Sequence, residues 1–172
     1  MRISKKLMID RNDLLDWLKK IDRKLKRKIE LIAVGGTAMT LLGLKSSTRD
    51  VDFCLDSENE KMFREALDGK FIVDIFTDGY IFSEQLPVDY KNKAKELAVF
   101  DNITLKALDP VDIIITKAAR LNARDEEDIV ALAKHVDRKD LIERFEEIVV
   151  SYAGDAKRFK YHFELILKRY FR

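Results

Sequence analysis

A single cysteine among 172 residues, Cys54, rules out an internal disulfide framework and fits a reducing cytoplasm. No apolar run approaches the roughly 20 residues of a membrane helix, and the N-terminus has no apolar signal core. Nothing in the sequence therefore points to export or membrane insertion. The two histidines, His135 and His162, stand too far apart for a metal site or a catalytic dyad, and no Ser-His-Asp arrangement is visible. Two prolines and six glycines leave no flexible linker, and no repeat or low-complexity tract divides the chain.

What is present is an apolar fraction of 47% and a charged fraction of 37%, the composition of one globular domain with a heavily charged surface. The net charge of +2 hides a local imbalance. Met1–Lys28 and Ser151–Arg172 are both rich in Lys and Arg. Two basic ends suit an anionic partner such as RNA, and they equally suit the solvated faces of surface helices.

Periodicity predicts an amphipathic helix from Asp13 to about Lys26, with Asp10 or Asn12 as cap. Ile29–Val34 is a nearly continuous apolar run, as for a central strand covered on both faces. Thr37–Leu44 reads as a short helix, Lys45–Thr48 as a loop and Arg49–Leu55 as a strand. Ser57, with Glu60, is expected to cap a helix through Leu67. Phe71–Phe76 is the next strand, and Thr77 to Lys93 is unreadable. A strand pair is expected at Glu96–Phe100 and Ile103–Leu108. Asp109 and Pro110 then open a helix to about Leu121, followed by helices at Asp125–His135, Lys139–Val150 and Ala156–Tyr170. The expected class is α+β: a small mixed twisted sheet with flanking helices, followed by a C-terminal helical part. Trp17 lies beside the apolar stripe of the first helix, and the aromatics of Tyr152–Phe171 are spaced as helix core.

The informative segment runs from Ile29 to Asp56. Asp50 and Asp52 are two positions apart and share one face of a strand, while Val51, Phe53 and Leu55 face a core. Side-by-side acids on an apolar strand repel each other and resist desolvation, which a hard cation such as Mg²⁺ or Mn²⁺ relieves. Asp74, on a strand expected to neighbour the first, is the third acid. Three such acids suit two-metal phosphoryl transfer, in which Asp50, Asp52 and Asp74 hold the cations and Asp74 serves the attacking group. Gly35–Gly36 lets the backbone approach a phosphate ahead of the following helix. Cys54 shares the acid face and reads as a small buried filler.

Gly35–Gly36, then Thr48-Arg49-Asp50-Val51-Asp52, then Asp74 on a later strand, resembles the core of the DNA polymerase β-like nucleotidyltransferase superfamily. Asp109 to Leu132 is similar to the helical part of minimal nucleotidyltransferases related to abortive-infection type toxins. In that family a Lys on the helix and an Arg-Asp pair before the next helix recur. The resemblance implies a triphosphate on the glycine pair, metals on the Asp-x-Asp strand, and a third Asp completing the site. Gly36 departs from the pattern, since many members have a serine there.

On this reading the nucleotide-binding residues are Gly35, Gly36, Thr48, Lys117, Arg120 and Arg124, and Mg²⁺ or Mn²⁺ is the cofactor. On one helix Lys117, Arg120 and Arg124 make a basic stripe for the β- and γ-phosphates. The plainer alternative for Lys117 is a snorkelling surface lysine. Asp125 reads as a helix cap and Asp128 as a structural salt-bridge residue, while Ser47 and Thr48 either bond phosphate or cap the strand. Residues 1–108 form the core with its N-terminal helix, and residues 109–172 the helical part packed on it. The expected partners are an NTP, an RNA or tRNA 3′ end as acceptor, and an antitoxin. The competing readings are a silent nucleotide-binding module and an antitoxin-like partner.

Overall fold

The computed structural model describes residues 8–82 and 84–172. Strand β1 (Ile9–Asp10) leads directly into α1 (Arg11–Asp22). Asp10 caps α1 reciprocally: its carboxylate accepts the Asp13 N–H, and the Asp13 carboxylate accepts the Asp10 N–H. The helix therefore starts earlier than its apolar stripe implies. It also ends earlier, and Asp22 near its close accepts the N–H groups of Asn102 and Ile103 at 2.8 Å each. The basic residues before Met8, and Ser83, lie outside the described residues.

Next come β2 (Ile29–Ala33), α2 (Gly35–Leu41), β3 (Ser47–Thr48), β4 (Val51–Leu55), α3 (Ser57–Ala66) and β5 (Val73–Thr77). The segment that sequence patterning leaves unread holds β6 (Tyr80–Ile81), β7 (Glu84–Gln85) and the single turn α4 (Tyr90–Lys93). Strands β8 (Lys95–Val99) and β9 (Ile103–Ala107) form the expected pair. Seven strands make one open sheet in the order β7-β6-β5-β4-β2-β9-β8, with β1 and β3 paired separately. The sheet is mixed: β4 with β5 and β2 with β9 are parallel, the other pairs antiparallel. Four helices follow, α5 (Pro110–Ala118), α6 (Ala123–Ala133), α7 (Arg138–Val149) and α8 (Ala156–Tyr170). This is the expected α+β architecture of a mixed sheet followed by helices. Among the described residues no helix is long and apolar enough to cross a membrane.

Further local expectations are corrected, among them the Lys45–Thr48 loop, whose last two residues form β3. Asp56, not Ser57, is the N-cap of α3, and the Ser57 N–H is taken by Asp78 Oδ1 at 3.0 Å across the sheet. Helix α2 begins at the glycine pair itself, not at Thr37. Helix α5 stops at Ala118, so Lys117 and Arg124 sit on different helices and the single-helix basic stripe does not form.

Phe53, on the face of β4 opposite Asp52, stacks on Trp17, whose indole also meets Phe71 edge-on. The indole N–H donates to Asp68 Oδ1 at 3.0 Å, so this large buried ring leaves no polar atom unpaired. Helix α5 is apolar through Ile113, Ile114 and Ile115, all fully buried, and lies at the centre of the helical half. Arg144 of α7 grips Asp112 of α5 in a two-pronged, almost fully buried pair, with Nε–Oδ1 at 2.7 Å and Nη2–Oδ2 at 3.1 Å. His162 of α8 donates from Nδ1 to the Ala118 carbonyl at 2.6 Å, holding the end of α5. The aromatics of the last two helices pack as core, Phe145 stacking on Phe163 and Tyr152 on Phe159.

Candidate active site

Strand order decides what meets what. Because β2 and β4 are antiparallel neighbours, the turn leaving β2 falls beside the start of β4, where Val34 N–H donates to the Asp52 carbonyl at 3.1 Å. The parallel register of β4 and β5 then places Asp74 directly opposite Asp52. Gly35, Asp52 and Asp74 thus come together from three successive sheet positions.

Asp50 lies just before β4 rather than within it. Its carbonyl accepts two hydroxyl hydrogen bonds at 2.9 Å, from Thr37 Oγ1 and Thr48 Oγ1. The Thr37 oxygen in turn accepts the Asp52 N–H, also at 2.9 Å. One threonine of α2 therefore clamps both ends of the Asp50–Val51–Asp52 tripeptide. Thr37 is a site residue that the sequence marks only by a hydroxyl directly after the glycine pair, and Thr40 of the same helix carries one too. Thr48 spends its hydroxyl proton on the same carbonyl, which is a local backbone role.

Gly35 has φ +54°, a left-handed conformation that glycine adopts without strain. A Cβ at Gly36 would stand 3.0 Å from Thr48 Oγ1, a hydroxyl already held by its hydrogen bond.

The three carboxylates form the acidic wall of the cleft. Asp52 is 8% exposed, whereas Asp50 and Asp74 are open to solvent. Burial, then the charges of Asp74 and Asp50, push the Asp52 carboxyl up to about 7; a hydrogen bond with Asp74 adds to this and Lys117 opposes it. A carboxylate held this way gains from any cation placed beside it.

The facing wall is made by the end of α5 and the start of α6. Lys117 is 6% exposed, so it is not the surface lysine of the plainer alternative. Its Nζ donates to Asp128 Oδ2 at 3.0 Å and lies 3.7 Å from Asp125 Oδ1. Arg120 makes a two-pronged contact with Asp125, Nε–Oδ2 at 2.8 Å and Nη2–Oδ1 at 2.6 Å. Asp125 is also half of the reciprocal cap of α6 with Asn122. Burial works to raise the Asp125 carboxyl, but the hydrogen bonds from Arg120 and the Asn122 N–H, with Lys117 alongside, bring it below the ordinary range. Asp128 takes a second cation, Lys45, at 3.1 Å from the loop after α2. Lys45 was not among the expected site residues. Arg124 lines the cleft from the exposed side of α6.

Between the walls is a cleft of about 580 Å³, lined by the glycine pair, the three acids and the Lys117, Arg120 and Arg124 cations. Such a volume suits a nucleotide-sized ligand. Among the described residues, no three His, Cys, Asp or Glu side chains stand already gathered as a full metal-ligand set.

An open mixed sheet with helices on its faces and a helical half behind the cleft is consistent with the α+β fold of nucleotidyltransferases. Over residues 10–170 the chain matches the family model described as nucleotidyltransferase of unknown function (DUF6036), and it belongs to that family. No curated protein and no solved structure matches it.

Proposed function

We propose that the protein transfers a nucleoside monophosphate from an NTP to a hydroxyl acceptor, in the manner of the DNA polymerase β-like superfamily and of its toxin-related minimal members. The observation that carries this reading is the register pair Asp52–Asp74 beside the Gly35 turn, with the raised proton affinity of Asp52. The donor set is all oxygen, which suits Mg²⁺ or Mn²⁺. Asp50, Asp52 and Asp74 would supply part of a metal shell, leaving positions for phosphate oxygens. A cation there offsets charge on the transferring phosphoryl group.

The chain's own residues divide the remaining work. The Gly35–Gly36 backbone admits the triphosphate, and Lys117, Lys45 and Arg124 face its β- and γ-phosphates. The acceptor oxygen attacks the α-phosphorus and its proton passes to the Asp74 carboxylate. The α–β bridging bond breaks, and pyrophosphate leaves toward the cations. An RNA or tRNA 3′ end is the proposed acceptor, with an antitoxin partner restraining the activity.

The test is incubation with each labelled NTP, Mg²⁺ and total RNA, next to an Asp50→Ala/Asp52→Ala variant. Losing the metal wall forfeits several kcal/mol of transition-state stabilisation, roughly a 10³-fold drop in pyrophosphate release. Release that persists in the double variant overturns the mechanism.

A further inference from the structure

The cleft is charged or polar almost throughout, and Phe82 is the one aromatic side chain among the described residues that line it. Its backbone is in the left-handed region at φ +57°, a conformation that a bulky residue adopts at a cost and that concentrates at functional positions. Phe76, two positions beyond Asp74 on β5 and so on its face of that strand, backs the ring at a centroid distance of 4.8 Å. The ring comes up to the glycine turn: its Cζ stands 3.4 Å from the point where a Cβ on Gly35 would sit, and Asp52 Oδ2 stands 3.6 Å from that same point, so ring and carboxylate flank one position. The residue nevertheless stays 37% exposed.

A hydrophobic ring brought to the glycine turn beside the Asp52 carboxylate at a backbone cost, and left part-open to the cleft, is unlike a packing residue. We infer that Phe82 is a stacking platform for a nucleobase, placed so that the base it holds lies beside Asp52 and Asp74. The chemistry needed is a flat π-face, which every base offers. Two sources can provide it, the incoming NTP and the terminal nucleotide of an RNA acceptor. The inference rests on the nucleotidyl-transfer reading for what the base belongs to, and it makes Phe82 a positioning and specificity residue of that site.

A Phe82→Trp variant gives a binding readout that needs no turnover, because Trp17 is buried in the core and the wild-type protein serves as its blank. Its fluorescence is followed against the four α,β-methylene NTP analogues with Mg²⁺, a short single-stranded RNA, and inorganic tripolyphosphate as the base-free probe. Saturable quenching by an analogue assigns the NTP base, quenching by RNA assigns the acceptor base, and tripolyphosphate leaves the emission unchanged. In turnover assays Phe82→Leu raises KM for the assigned substrate roughly 5- to 150-fold, with kcat changed less, and Phe82→Tyr restores it. A mere packing role predicts the reverse order, with Leu tolerated. Quenching by no base-bearing probe, or a Leu variant equal to wild type in KM for both substrates, overturns the inference. Base-dependent quenching in a protein that transfers nothing leaves the platform standing and removes the transfer reading. Transfer without quenching does the opposite.

Discussion

Asp52 on the sheet wall and Asp125 on the helical wall are both buried aspartates at one cleft, yet the first holds its proton up to about pH 7 and the second releases it below the ordinary range. Burial raises both carboxyls and is the largest single influence on each, so it does not by itself separate them. Neighbours do. Asp52 is packed against two like charges, whereas Asp125 sits between a lysine, an arginine and a backbone N–H. The helical wall settles its own electrostatics, and the sheet wall does not. An unresolved electrostatic cost in a cleft is where chemistry is expected.

That contrast can be broken experimentally. The largest effect is expected from Asp125→Ala, which strips the buried Lys117 and the Arg120 fork of a shared acceptor. Urea unfolding is expected to show a loss of about 3 kcal/mol. If Asp52→Ala costs as much in the absence of metal, the two walls do not differ.

Next in size is Asp52→Asn. Its folded carboxyl titrates above the ordinary 3.8, so between about pH 4 and 7 the folded state holds a proton that the unfolded chain has released. Stability from this group is complete below the unfolded value and declines as pH rises through about 7, where it levels off. In chelator at pH 8 the Asn variant is therefore expected to be more stable, by on the order of 1 kcal/mol, and its melting temperature to lose that segment of pH dependence. Excess Mn²⁺ is expected to stabilise wild type and not the variant. A melting profile equal in both proteins removes Asp52 as the strained acid.

The smallest effect is reserved for Arg120→Ala. Its side chain is 61% exposed, so the lost pair with Asp125 is screened and is expected to cost about 1 kcal/mol or less. Isothermal titration with an NTP analogue shows whether the same change weakens nucleotide binding; unaltered affinity places Arg120 wholly in the structural network of the helical wall.

Much of the acidic wall was legible in the sequence because its parts are local. A glycine pair, a two-residue spacing and an alternating strand all act within a few residues, and one helical crossover sufficed to bring Asp74 alongside. The cationic wall was harder. Reading Lys117, Arg120 and Arg124 as one stripe assumed a continuous helix, but the chain breaks after Ala118, and Leu121 takes φ +40° to start α6 afresh. Asp125 and Asp128, read as a cap and a salt-bridge residue, bind the lysines and the arginine. Lys45 gave no local sign of its partner, because Asp128 lies on an element remote in sequence.

Sequence by itself determined the fold class, the acid strand and the glycine turn, since backbone period and local conformational preference act over short spans of chain. Tertiary structure alone decided which charges face each other across the cleft, and so which aspartate is strained and which is at rest. Electrostatic energy depends on distances in space, and those distances are settled only when the sheet and the helices close on one another.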